Sequence, residues 1–70
     1  MPNFCVNKLA QPTGDHEVHD LTAGCSNLPA PSSRLALGNH ASCHGAVRAA
    51  TGHYRQVDGC YFCAPACHTR

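Results

Sequence analysis

Val57-Asp58-Gly59-Cys60-Tyr61-Phe62-Cys63-Ala64-Pro65-Ala66-Cys67-His68 places turn chemistry ahead of a Cys-x-x-Cys and a proline just behind it. Two thiolates separated by two residues can reach one tetrahedral ion from a tight turn, at a zinc–sulfur distance of ~2.3 Å. Gly59 suits such a turn, and the segment reads as a zinc knuckle. The same spacing would serve a redox dithiol or two unrelated buried thiols. A metal site needs two further ligands, and no second Cys-x-x-Cys is present to supply them.

The rest of the chain explains why a clamp is needed. A domain of 70 residues buries only about 60% of the surface its unfolded chain exposes. Leu, Val and Phe together number eleven, against ten Ala and six Cys, and there is no Ile or Trp. So few large apolar side chains leave little margin over the entropy of ordering the backbone, and a metal or cross-link is the expected remedy. The net charge of +1 and 13% charged residues do not match the charge-rich composition of a disordered chain. Six His accompany the six Cys, and both types ligate metal when deprotonated, which favours a metal over disulfides alone.

Met1-Pro2-Asn3-Phe4-Cys5 opens without a basic stretch, and no apolar run follows that would suit a signal or a membrane span. The expectation is a cytoplasmic protein whose thiols are free or metal-bound.

Outward from the knuckle, residues 43–54 predict a helix. Cys43, Ala46, Val47, Ala50 and Tyr54 recur at three- and four-residue steps, with Ser42 as N-cap. Gly45 and Gly52 weaken it by about 1 kcal/mol each relative to Ala, so packing must hold it. Phe4 to Leu9 reads as a strand, Gln11-Pro12-Thr13-Gly14-Asp15 as a turn, and His16-Glu17-Val18-His19 as the returning strand. Residues 22–33 form a Gly-, Pro- and Ser-rich ordered loop that carries Cys25, and Arg34-Leu35-Ala36-Leu37 is a third strand ending at Gly38-Asn39.

His19 and Cys25 leave a strand and enter a loop, so both can face the knuckle. They complete the expected metal set of His19, Cys25, Cys60 and Cys63. Cys67 and His68 are alternates for one of these places or ligands of a second metal. Cys63-x-x-x-Cys67-His68 has one residue too many between its cysteines for haem attachment. Cys43 reads as a packed thiol on the helix stripe, although a thiol in a first helical turn can instead be reactive. Cys5 is a core residue, and His16, His40, His44 and His53 are surface residues without ligand spacing. Asp15, Glu17, Asp20 and Asp58 are too scattered for a paired acid/base site. No Gly-rich phosphate loop follows a strand, and five basic residues fall short of a nucleic-acid binder's footprint.

With ligands in the order His19, Cys25, Cys60, Cys63 and a helix between the pairs, the chain resembles the zinc-binding domain of the adaptive-response methyl-DNA repair protein, the Ada type. Val18-His19, Gly24-Cys25, Leu35 to Leu37, Ala46 to Ala50 and Gly59-Cys60-Tyr61-Phe62-Cys63 carry the likeness, over residues 16–63. The whole chain also looks like a group of small, uncharacterised bacterial proteins with a similar Cys-rich end. In the repair protein the leading ligand is a cysteine that accepts a methyl group from a DNA phosphotriester. His19 stands in that place here, so the resemblance implies the fold and the metal rather than methyl transfer.

The expectation is one α+β miniature domain over residues 1–70, a small antiparallel sheet with one packed helix, clamped by a structural zinc. It would act as a monomeric interaction module for a protein or nucleic-acid partner, not as an enzyme, with no membrane or small-molecule substrate. The rivals are a thiol redox or metal-handling protein using Cys60, Cys63 and Cys67, and a weak DNA-binding module using Arg34, Arg48, Arg55 and Tyr54. Four thiolate or imidazole ligands do not by themselves choose zinc over iron.

Overall fold

A computed structural model describes residues 1–69. The short apolar run Phe4-Cys5-Val6 lies in β1 (Asn3–Asn7), and buried Val18 and His19 lie in β2 (His16–Asp20); the two are joined by a turn in which Gly14 takes φ +92° and its amide donates to the Gln11 carbonyl at 2.7 Å. A 3-10 turn, Pro31–Ser33, leads into β3 (Arg34–Asn39). Then come α1 (Cys43–Ala50), β4 (Val57–Gly59) and a second 3-10 turn, Pro65–Cys67. The strands form one sheet in the order β3-β1-β2-β4.

The small α+β architecture is the expected one, with one difference in the sheet. β1 pairs antiparallel with β2 and β3, but β4 runs parallel to β2, with Val18 opposite Gly59. The connection explains it. After β2 the chain crosses to the far edge as β3 and returns through α1, so it re-enters beside β2 from the same end, as a crossover requires. Residues 57–59, expected as turn, are therefore strand. Gly59 is not a turn residue and has no positive φ. It is there because a Cβ would sit 2.7 Å from both the Ala64 carbonyl oxygen and Cys67 Cβ.

Period-two alternation divides the sheet into two faces. Phe4, Val6 and Val18 point to α1 and form the core with Cys43, Ala46, Ala50 and Ala64, flanked by Leu35, Leu37, Val47 and Tyr54. Leu35, opposite Val6, and Leu37, two residues on, share that side, and the register shifts by a bulge between Phe4 and Cys5. Cys5 and His19, paired across β1 and β2, face the other way and are fully buried. The helix ends at Ala50 rather than at Tyr54, and a looser turn carries its hydrogen bonding onward, with the Tyr54 amide donating to the Ala50 carbonyl at 3.0 Å. Ser42 occupies the N-cap with extended φ/ψ but makes no capping bond; its hydroxyl lies 3.4 Å from His44 Nδ1 instead. Among the described residues no helix is long and apolar enough to cross a membrane.

Candidate metal centre

Three segments converge at the end of β2. His19 is held by its place in the sheet, opposite Cys5. Cys60 directly follows β4, and its amide donates to the Val18 carbonyl at 2.9 Å, so the parallel pairing delivers the knuckle to the strand that carries His19. The knuckle closes when the Ala64 amide donates to the Cys60 carbonyl at 2.9 Å. Cys25 arrives from the loop after β2, just beyond Gly24, whose φ of +73° is open to glycine without strain.

The ligand atoms of His19, Cys25, Cys60 and Cys63 all lie within 4.8 Å of one another, a group able to hold a metal ion. The separations carry more information than the grouping. A tetrahedral ion with bonds of ~2.3 Å to sulfur and ~2.0–2.1 Å to nitrogen implies sulfur–sulfur edges of about 3.8 Å and sulfur–nitrogen edges of about 3.6 Å. Cys25 Sγ and Cys60 Sγ are 3.8 Å apart, and Cys63 Sγ is 3.5 Å from His19 Nδ1. A disulfide would need ~2.05 Å between the sulfurs, and all four of Cys5, Cys25, Cys60 and Cys63 are free.

The surroundings favour bound thiolates. The Asp20 amide points at Cys63 Sγ and the Asn27 amide at Cys25 Sγ, both at 3.3 Å, each adding a partial positive charge beside a sulfur. Burial pushes the Cys63 thiol well above the ordinary thiol range; the Asp20 amide opposes this, while Cys25 and Cys60 raise it further. Three sulfurs packed this closely cannot all ionise unless a cation shares the space, which is the electrostatic condition a metal meets. Burial, and secondarily Arg34, lowers the His19 pKa, keeping its imidazole in the neutral form that ligates. With Nδ1 turned to the sulfurs, Nε2 is buried and makes no hydrogen bond. Glu17 Oε1 stands 3.4 Å away, close to the ring but without hydrogen-bond alignment.

All four residues expected as ligands are thus brought together, and the alternates are held elsewhere. His68 Nδ1 donates to the Gly59 carbonyl at 3.0 Å and lies 3.2 Å from Asp58 Oδ2. Cys67 forms a disulfide with Cys43, so Cys43 both packs in the core and cross-links it. That pairing had no sequence signal, since six cysteines allow 15 connectivities. Glu17 was legible, because residues i and i+2 of a strand share a face. Cys5 is a buried thiol outside the group; burial raises its pKa, against smaller lowering by Arg34 and the His19 backbone.

Of the residues expected for DNA contact, Arg48 and Arg55 are exposed, while Arg34 and Tyr54 are half-buried against neighbours. Arg34 Nε donates to the Pro29 carbonyl at 2.9 Å, and Tyr54 stacks on His16 with ring centroids 3.8 Å apart. No protein-family model matches the chain, and comparisons with curated proteins and with solved structures find no match.

Proposed function

We propose that this chain is a small zinc-stabilised interaction module in which His19, Cys25, Cys60 and Cys63 hold one structural ion. The observation that carries the reading is the agreement of the 3.8 Å and 3.5 Å separations with the edges of a zinc tetrahedron. A donor set of three thiolates and one imidazole suits zinc, and four protein ligands leave no position for substrate. Two chain-distant segments meet at this site, so binding free energy becomes folding free energy, worth on the order of 10 kcal/mol in comparable peptides.

Ligand order supports a structural relation to the Ada-type zinc domain, with the methyl-accepting cysteine replaced by His19. The interaction role draws on the knuckle tip. Tyr61 and Phe62 are 62% and 67% exposed, and their rings meet edge to face at 5.1 Å. A rigid metal-bound turn presenting two aromatic rings offers contact area at low entropic cost. A cytoplasmic setting is part of the proposal, with Cys43–Cys67 as a bond that cellular thiols can open.

Native mass spectrometry of the purified chain, followed by chelator titration under circular dichroism, tests this. One tightly held zinc and loss of structure on its removal is the expected result. A metal-free chain with the same fold and melting temperature would overturn it.

A further inference from the structure

We propose that Cys43, His44 and Cys67 form a second metal site, closed while Cys43 and Cys67 are disulfide-bonded and opened by a thiol reductant. It is built from residues that the first site does not use.

The sulfur atoms of Cys43 and Cys67 and a ring nitrogen of His44 lie within 4.8 Å of one another. Their positions come from rigid elements. Cys43 and His44 open α1, and Cys67 ends the 3-10 turn that follows the knuckle. Gly59 seats that turn, since a Cβ there would come within 2.7 Å of Cys67 Cβ. The two Cα atoms are 6.2 Å apart. Moving the sulfurs from a bonded ~2 Å to the ~3.8 Å edge of a thiolate-bound ion takes about 1 Å of motion from each, within reach of side-chain rotation. Cys43 and His44 also line a cavity of about 270 Å³, together with Asp20, Ser42, Cys63 and Ala66. An ion held by two thiolates and one imidazole would therefore keep its fourth position on the open side. Such a site exchanges metal or accepts a further ligand, unlike the closed one. Two thiolates select a thiophilic cation such as zinc or copper(I).

The chemistry balances with a dithiol as reductant. It gives two electrons and two protons to the disulfide and becomes a disulfide itself; the Cys43–Cys67 bond breaks and each sulfur takes a proton. Metal binding then releases both protons to solvent.

Zinc stoichiometry by native mass spectrometry, before and after a phosphine reductant with zinc in excess, tests the proposal on the full chain. Circular dichroism of the same samples reports the fold. The oxidised chain should carry one ion and the reduced, folded chain two. C43S/C67S should carry one under both conditions. H44A, which alters an exposed side chain and leaves the disulfide intact, should bind the second ion at least about tenfold more weakly after reduction, no less than the loss of an outer-sphere partner causes. A reduced wild-type chain that takes up no additional zinc, or that unfolds, overturns the proposal, as does an H44A chain with undiminished second-site affinity. An oxidised chain without zinc that gains one ion on reduction, lost in C43S/C67S, would remove the first site and retain this one.

Discussion

Gly59→Ala is a single methyl group placed where the knuckle, the disulfide and the parallel strand pair meet. The new Cβ would lie 2.7 Å from the Ala64 carbonyl oxygen, 2.7 Å from Cys67 Cβ and 2.8 Å from the Cys67 carbonyl carbon. Two of these three are backbone atoms, and the third belongs to a side chain tethered to α1 through Cys43, so none can swing aside cheaply. Overpacking of this kind costs about 1–3 kcal/mol, and we expect the upper end, about 3 kcal/mol. In a domain of this size each kcal/mol lowers the melting temperature by roughly 4–8 °C, so the zinc-loaded variant should melt about 12–24 °C lower. Because folding and metal binding are coupled, apparent zinc affinity should fall by roughly 100-fold, at 1.4 kcal/mol per decade. Gly38→Ala is the control. Nothing lies within 4 Å of its new Cβ, but φ is +81°, so its cost is the left-handed penalty of about 1–2 kcal/mol. Thermal denaturation by circular dichroism and zinc competition with a chromogenic chelator measure both quantities. If Gly59→Ala melts within a few degrees of wild type, or less than Gly38→Ala lowers it, the packing of the post-knuckle turn against β4 is not as described.

Alkaline pH should separate the protonated thiol state from the zinc-bound one. Without zinc, burial raises the Cys63 pKa above its ordinary 9.0, so the unfolded chain releases a proton that a folded one keeps, and whatever fold survives metal removal loses stability as pH rises past about 9. The zinc-loaded chain, its thiolates already deprotonated, should hold its melting temperature there; a parallel alkaline loss would refute the assignment. On the acid side the His19 pKa is lowered from 6.5, so its stabilising contribution is present above that pH and is lost as pH falls through the interval down to the folded value. Glu17→Gln should weaken zinc binding by about 10-fold, the low end of outer-partner effects, with little change in the far-ultraviolet spectrum; unchanged affinity would mean that the carboxylate does not steady His19. Replacing Tyr61 and Phe62 with Ala should shift stability by no more than about 0.5 kcal/mol each while abolishing capture of any partner that the wild-type chain binds, and a large loss of stability would show that the rings belong to the core.

The parts of the fold that could be read along the chain are those written in local periodicity. The apolar stripe through Cys43, Ala46 and Ala50 marks α1 because side chains three and four apart share a helix face, and the same residues are buried in the core. Turn residues Pro12 and Gly14, between the short runs that become β1 and β2, mark the hairpin. Strand β4 escaped because Val57-Asp58-Gly59 is three residues long and carries no period; it is a strand only because β2 is beside it. The same limit applies to Gly59, whose turn-like identity reflects a neighbour 2.7 Å away, and to Ser42, whose identity suited a cap that its side chain does not make.

The sequence by itself determined that a chain with so few large apolar residues and so many Cys and His would be organised around a cross-link or a metal, and that His19, Cys25, Cys60 and Cys63 were the candidates, because ligand chemistry and element ends are local properties. Only the tertiary structure decided that these four converge while Cys67 turns away to Cys43 and His68 to Gly59 and Asp58. That choice depends on the parallel docking of β4 against β2, which sends the Cys60–Cys63 turn toward His19 and the following turn toward α1. Strand direction is set by how the whole chain crosses the core, and no spacing between cysteines encodes it.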